Sequence, residues 1–201
     1  MNRVFGKKEC YVPIREDESR TIISYDYVAE EDGVNATWYE IYVYKVEKQT
    51  IGYQEVCDAI IEDINARVSE KILTGYQWKV LHGEDEGLVV NVWLSTENQA
   101  NYKAKHDTAL QYPQLTEFPM QYKIGEYEEQ KESEEGEKTE RKKRPVYEYF
   151  ANIQELAQFY LGGVAFIESC YKEGWAKKDS MDFTPYEKAL NPESKTNEVS
   201  E

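Results

Sequence analysis

Residues Gln54–Asn98 (QEVCDAIIEDINARVSEKILTGYQWKVLHGEDEGLVVNVWLSTEN) constrain the fold most, because apolar period, turn chemistry and caps agree there. Val56, Ile60, Ile61, Ile64, Val68, Ile72 and Leu73 recur at spacings of three, four and one. That is the stripe of a helix packed on a sheet, and it predicts a helix over Gln54–Leu73. Glu55, Asp58, Glu62, Asp63 and Arg67 fill its wet side, and Gly75 supplies a left-handed stop. Tyr76–Leu81 and Leu88–Leu94 read as strands joined by the Gly-bounded polar turn His82–Gly87. Ser95 is an N-cap for a helix to about Gln111, with Thr96 and Gln99 as a capping box in the alternative register.

The flanks extend this pattern into an α+β fold: a mainly antiparallel sheet, about three packing helices and a flexible charged loop. Thr21–Val28 and Thr37–Val46 are β-rich and separated by a turn at Asp32-Gly33. In the second run Tyr39, Ile41 and Val43 share one face, and Trp38, Tyr42, Tyr44 and Val46 the other. Two apolar faces predict cover on both sides, one by a helix and one by a neighbouring subunit. Pro113 ends the second helix, whose main apolar members are Tyr102, Ala109 and Leu110; it is expected on the surface or under a partner. Phe118–Ile124 and Pro145–Phe150 are predicted to pair. Asn152 and Glu155 form a capping box for a third helix with the stripe Leu156, Phe159, Tyr160, Val164, Ile167, Cys170 and Tyr171. Gly162-Gly163 inside it implies close packing against another helix or strand, since glycine there costs about 1 kcal/mol per residue against alanine. Thr184-Pro185 with Glu187 starts a last short helix.

This reading gives one domain, 21–125 with 145–190, behind a polar arm at 1–20 in which Cys10–Ile14 has the character of an edge strand. The charged insert 126–144 is expected to be a flexible loop and 191–201 a disordered tail. The insert carries eight acidic and six basic residues, a net −2 of the total −15, so the remainder holds −13. An acidic body repels phosphate backbones and anionic headgroups, which argues against nucleic-acid and membrane partners. The N-terminus MNRVFGKKECYVPIRED lacks the apolar middle of a secretion signal, which predicts synthesis in a cytoplasm. Cys10, Cys57 and Cys170 are far apart and odd in number, so neither a disulfide framework nor a metal pair follows.

No residue set points to catalysis. The two histidines, His82 in the polar turn and His106 beside Asp107, do not form a ligand set or a dyad, because neighbours i and i+1 point apart on a helix. Motifs for nucleophilic, zinc or nucleotide chemistry are missing from the sequence. The expectation is a non-enzymatic protein with no cofactor and no metal. The 17 tyrosines and four tryptophans suit half-buried sheet faces and interfaces. Trp38, Tyr42, Tyr44, Tyr102 and His106 are the candidate interface residues. A weaker alternative uses exposed Tyr and Trp as platforms of a carbohydrate-binding module.

The pattern DINARVSEKILTGYQW followed by VNVWLSTENQANYKAKHD resembles an uncharacterised family of proteins encoded by phages and prophages of gut anaerobes. GKKECYVPIR near the start and AQFYLGGVAFIESCYKEGWAKKDSMDFTPYEKALNPES near the finish carry the same likeness, which covers nearly the whole chain. Trp93, Leu94 and Ser95, with Cys170 and Tyr171, are also similar to an uncharacterised domain of phage tail-fibre regions. The insert 126–144 is longer than the family pattern. The resemblance implies a tail-associated structural or adaptor protein, with other tail proteins or a second copy of itself as partner. It implies location in the virion after assembly, or alternatively a helper of tail or fibre assembly that stays in the host cytoplasm. It brings no activity and no site residues.

Overall fold

The computed structural model describes residues 2–44, 50–130 and 141–191. The fold is α+β, as the periodicities predict. The chain divides into two compact units, Met1–Arg67 with Gly174–Glu201, and Val68–Glu173. The buried apolar residues form two clusters, each under its own strands. Helices α1 (Tyr53–Thr74) and α3 (Ile153–Asp179) are long enough to contribute residues to both units.

In the first unit, β3 (Arg20–Ala29) and β4 (Asn35–Tyr44) pair antiparallel, with Ile23 opposite Ile41 and Tyr25 opposite Tyr39. Val46, assigned to this strand from sequence, lies outside the described residues. β1 (Asn2–Lys7) pairs with β4 and β2 (Ile14–Glu16) with β3, giving the order β1-β4-β3-β2. Half of the arm expected at 1–20 is thus strand. Backbone groups along β3 and β4 need partners whatever side chains their neighbours carry, and a polar edge strand supplies them. On one face Ile23 and Tyr25 are buried with Val56, Ile60 and Ile64 of α1 and Tyr186 of α4 (Thr184–Leu190). α4 starts at Thr184 as expected, and Asp182 Oδ1 accepts from the Thr184 N–H at 2.9 Å.

The second unit carries the hairpin β5 (Gln77–Lys79) and β6 (Val89–Asn91), helix α2 (Thr96–Gln111), the pair β7 (Met120–Gln130) and β8 (Arg141–Phe150), and α3 to Glu173. The helix stop and cap hold, whereas the strands expected at Tyr76–Leu81 and Leu88–Leu94 are three residues each. Gly75 stops α1 at φ +79°, and Ser95 caps α2 by accepting from the Asn98 N–H at 3.2 Å. The Trp93 N–H donates to the Ile124 carbonyl oxygen at 3.0 Å, joining the end of β6 to β7. Tyr76, Val80, Val92, Leu94, Phe150 and Phe159 are among the buried core. Two members of the predicted helix stripes, Leu73 and Tyr171, are exposed. Gly162 and Gly163 seat the Tyr76 ring, not a backbone: added Cβ atoms would lie 3.2 and 3.4 Å from its Cε2 and Cε1.

Within the insert expected as a loop, 126–130 and 141–144 are paired strand. Glu126 pairs with Pro145, Tyr127 with Arg144 and Glu128 with Lys143, and the register runs on to Gln130 and Arg141. Its acidic half precedes its basic half, so an antiparallel fold-back places opposite charges face to face. Glu128 and Lys143 lie 3.4 Å apart. The centre of the insert, 131–140, and the expected tail from 192 lie outside the described residues.

Candidate functional site

The five candidate interface residues separate into buried and accessible ones. Trp38 is 2% exposed, Tyr102 6% and His106 8%, whereas Tyr44 is 70% exposed and Tyr42 half-buried. Trp38 is covered by the chain's own segment 8–15 and not by a neighbouring subunit. The Tyr11 ring lies 5.9 Å from the Trp38 ring and 4.9 Å from that of Tyr27, and its hydroxyl donates to the Ser24 carbonyl oxygen at 3.2 Å. Arg15 reaches under the same face. On α2, Tyr102, His106 and Ala109 form the side that packs within the chain. The His106 ring stacks on Tyr160 at 4.6 Å.

Two buried carboxylates, neither singled out by the sequence reading, organise the sheet faces. Glu40 is 4% exposed; its Oε1 accepts from Arg15 Nη2 at 2.7 Å and Trp38 Nε1 at 3.1 Å, and its Oε2 from the Tyr42 hydroxyl at 2.9 Å. Glu148 is fully buried. Its Oε2 accepts from Trp78 Nε1 at 2.6 Å and the Leu81 N–H at 2.8 Å, and its Oε1 from the His82 N–H at 3.1 Å and the Tyr149 N–H at 3.0 Å. The polar turn at 82–87 is therefore tethered at its base. His82 Nε2 also lies 3.0 Å from Glu155 Oε2. Burial raises the Glu155 carboxyl, but the Ala151 N–H, His82 and Asn152 outweigh it and hold the group below its ordinary value. Alternation would have found both acids: Glu40 stands two residues from Trp38 and Tyr42, and Glu148 two from Val146 and Phe150.

A charged cluster surrounds a bulge in β3, where the register shifts between Tyr25 and Val28 and Asp26 adopts φ +59°. The Asp26 carboxylate accepts from Lys177, and Arg67 Nη1 lies 3.9 Å from it. The Tyr25 hydroxyl donates to Asp63, and the Arg67 guanidinium sits 3.9 Å from the Tyr39 ring centre. Burial, then the bond to Asp63, pushes the Tyr25 hydroxyl far up, so it stays a donor. These contacts fix the bulge, with the buried Arg67 Nε 3.4 Å from Asp63 Oδ2 and without a hydrogen bond.

Two concave sites open on the second unit. One, of about 300 Å³, lies between α2 and α3, with Leu94, Phe159, Val164 and Ile167 as apolar walls and Thr96, Gln99 and Lys103 among its polar lining. The other, of about 400 Å³, is a polar groove of Tyr147 and Tyr149 with Gln121, Glu84, Asp85 and Arg144. Arg144 Nη2 and Asp85 Oδ1 are 2.6 Å apart across it. Among the described residues no three His, Cys, Asp or Glu side chains gather as a metal site, and no helix is long and apolar enough to cross a membrane. Neither a protein-family model, nor a curated protein, nor a solved structure matches the chain.

Proposed function

We propose that the chain is a non-enzymatic, bacteriophage tail-associated adaptor that acts through protein–protein contacts. One observation carries the contact reading. Phe5, Thr37 and Val28 are register partners across β1, β4 and β3, so they share a sheet face; Phe5 is 65% and Val28 53% exposed. Phe5 and Val28 flank the buried Thr37, and Phe5 stands on β1, an edge strand of the sheet. An edge strand flanked by apolar side chains is suited to adding a strand from a partner: main-chain bonds give affinity and the side-chain row gives selectivity. The tail setting rests on the resemblance of the segments quoted above. The buried carboxylates support an architectural use of charge, because their oxygens are taken by protein donors.

The test is mass spectrometry of gradient-purified particles of the encoding phage. Recovery of the chain in intact particles is expected. Double substitution Phe5→Asp with Val28→Asp should leave circular dichroism unchanged and lose the chain from particles. Recovery only from the particle-free lysate would overturn the virion reading in favour of the assembly helper.

A second reading, a carbohydrate-binding module, is favoured by the groove at Tyr147. There a partly exposed tyrosine stands among Gln121, Glu84, Asp85 and Arg144, the mixture of ring face and polar side chains that a sugar uses. Binding on a glycan array that disappears with Tyr147→Ala would support it, and an array without hits would remove it.

A further inference from the structure

We propose that the cavity between α2 and α3 is a binding site for a small aromatic molecule that carries one hydrogen-bond acceptor on its ring substituent. The inference goes beyond the adaptor reading and does not depend on it.

Three observations carry it. First, the cavity is of the size and character of small-molecule sites: about 300 Å³, with Leu94, Phe159, Val164 and Ile167 as apolar walls. Second, one of its two buried tyrosine hydroxyls is unsatisfied. Tyr102 lines the cavity and is 6% exposed, yet its hydroxyl has no hydrogen-bond partner among the described residues. The neighbouring Tyr76 hydroxyl is engaged, donating to the Phe159 carbonyl oxygen at 2.5 Å. A buried polar group without a partner costs stability, and an acceptor on a ligand would relieve that cost. Third, the site is held in shape. The Tyr102 ring meets Phe159 edge to face at 5.0 Å, and Tyr76 lies against Gly162 and Gly163. Burial pushes the Tyr102 hydroxyl up to about 12, so at neutral pH it offers a proton and selects an acceptor. The planar rings of the lining favour an aromatic ligand over an aliphatic chain of equal volume, through edge-to-face contact.

The experiment compares acetophenone with ethylbenzene, two probes of nearly the same shape of which only the first carries an acceptor. Methyl resonances of Leu94, Val164 and Ile167 report occupancy in the full chain. Both probes should shift them, with acetophenone binding about tenfold tighter, as one well-made hydrogen bond allows. Tyr102→Phe keeps the ring and should abolish that preference, with ethylbenzene affinity unchanged within about twofold. Ala100→Trp, at an exposed lining position, should block both probes and leave the melting temperature near that of the parent. No shift with either probe up to the solubility limit, or a preference that survives Tyr102→Phe, would overturn the proposal. Either result leaves the particle experiment, and so the adaptor reading, untouched.

Discussion

Glu148→Gln should be among the most damaging single-atom changes in this chain, although it preserves shape. Each carboxylate oxygen accepts two N–H donors: Trp78 Nε1 and Leu81 on one, His82 and Tyr149 on the other. A glutamine must turn its amide nitrogen toward one of these pairs. Whichever way it flips, two bonds are lost and two donors face a third. A hydrogen bond to a charged group contributes roughly 1.5–3 kcal/mol, so losing two costs about 3–5 kcal/mol with partial relaxation. That is a large part of a total stability of about 5–15 kcal/mol. With a urea slope of about 2 kcal/mol/M, the midpoint should fall by about 1.5–2.5 M, read by tryptophan fluorescence. Amide exchange at Leu81 and His82 should accelerate in the same variant. The control, Glu128→Gln, removes a charge from a 3.4 Å pair whose side chains are 47% and 62% exposed. It should change stability by less than about 0.5 kcal/mol. If Glu148→Gln moves the midpoint by less than about 0.3 M, Glu148 does not tether the turn and the geometric argument fails.

Trp38→Ala should destabilise the chain by about 3–5 kcal/mol, while Tyr44→Ala stays within about 0.5 kcal/mol, because the first empties a covered site and the second trims an exposed one; thermal melts followed by circular dichroism separate them. The Glu155 carboxyl titrates below its ordinary value in the folded chain, so its contribution is complete above the unfolded-state value near 4.5 and is lost as pH falls through the depressed one. Glu155→Gln should therefore flatten the acid limb of stability against pH and leave the neutral limb's slope unchanged, as urea midpoints from pH 3 to 7 would show.

What the sequence revealed and what it hid follow from one distinction. Regular elements announce themselves through apolar period and caps, so α1, the Gly75 stop, the Ser95 cap, the Asn152–Glu155 box and the pairing of β7 with β8 were all legible. Hydropathy, however, counts Tyr, His and Glu as outward residues. In α2 the buried positions 102, 106 and 109 do follow helical spacing, but two of the three are Tyr and His, so the face looked weak. The second face of β4 looked like an interface for a different reason: it read as apolar and in need of cover. Its cover is a polar segment that works through one tyrosine ring and one guanidinium, with Glu40 as the shared acceptor for Arg15, Trp38 and Tyr42. Such a cover is decided by which donors meet which acceptors, and composition does not carry that information. The consequence for function is a relocation. The aromatic residues that looked available are mostly internal, while Phe5, in the segment read as an arm, and Val28, at the end of the β-rich run Thr21–Val28, are accessible. A contact surface placed by counting aromatics would therefore be mutated in the core, and its loss of function would be a loss of fold. One placed on the β1 edge separates the two outcomes.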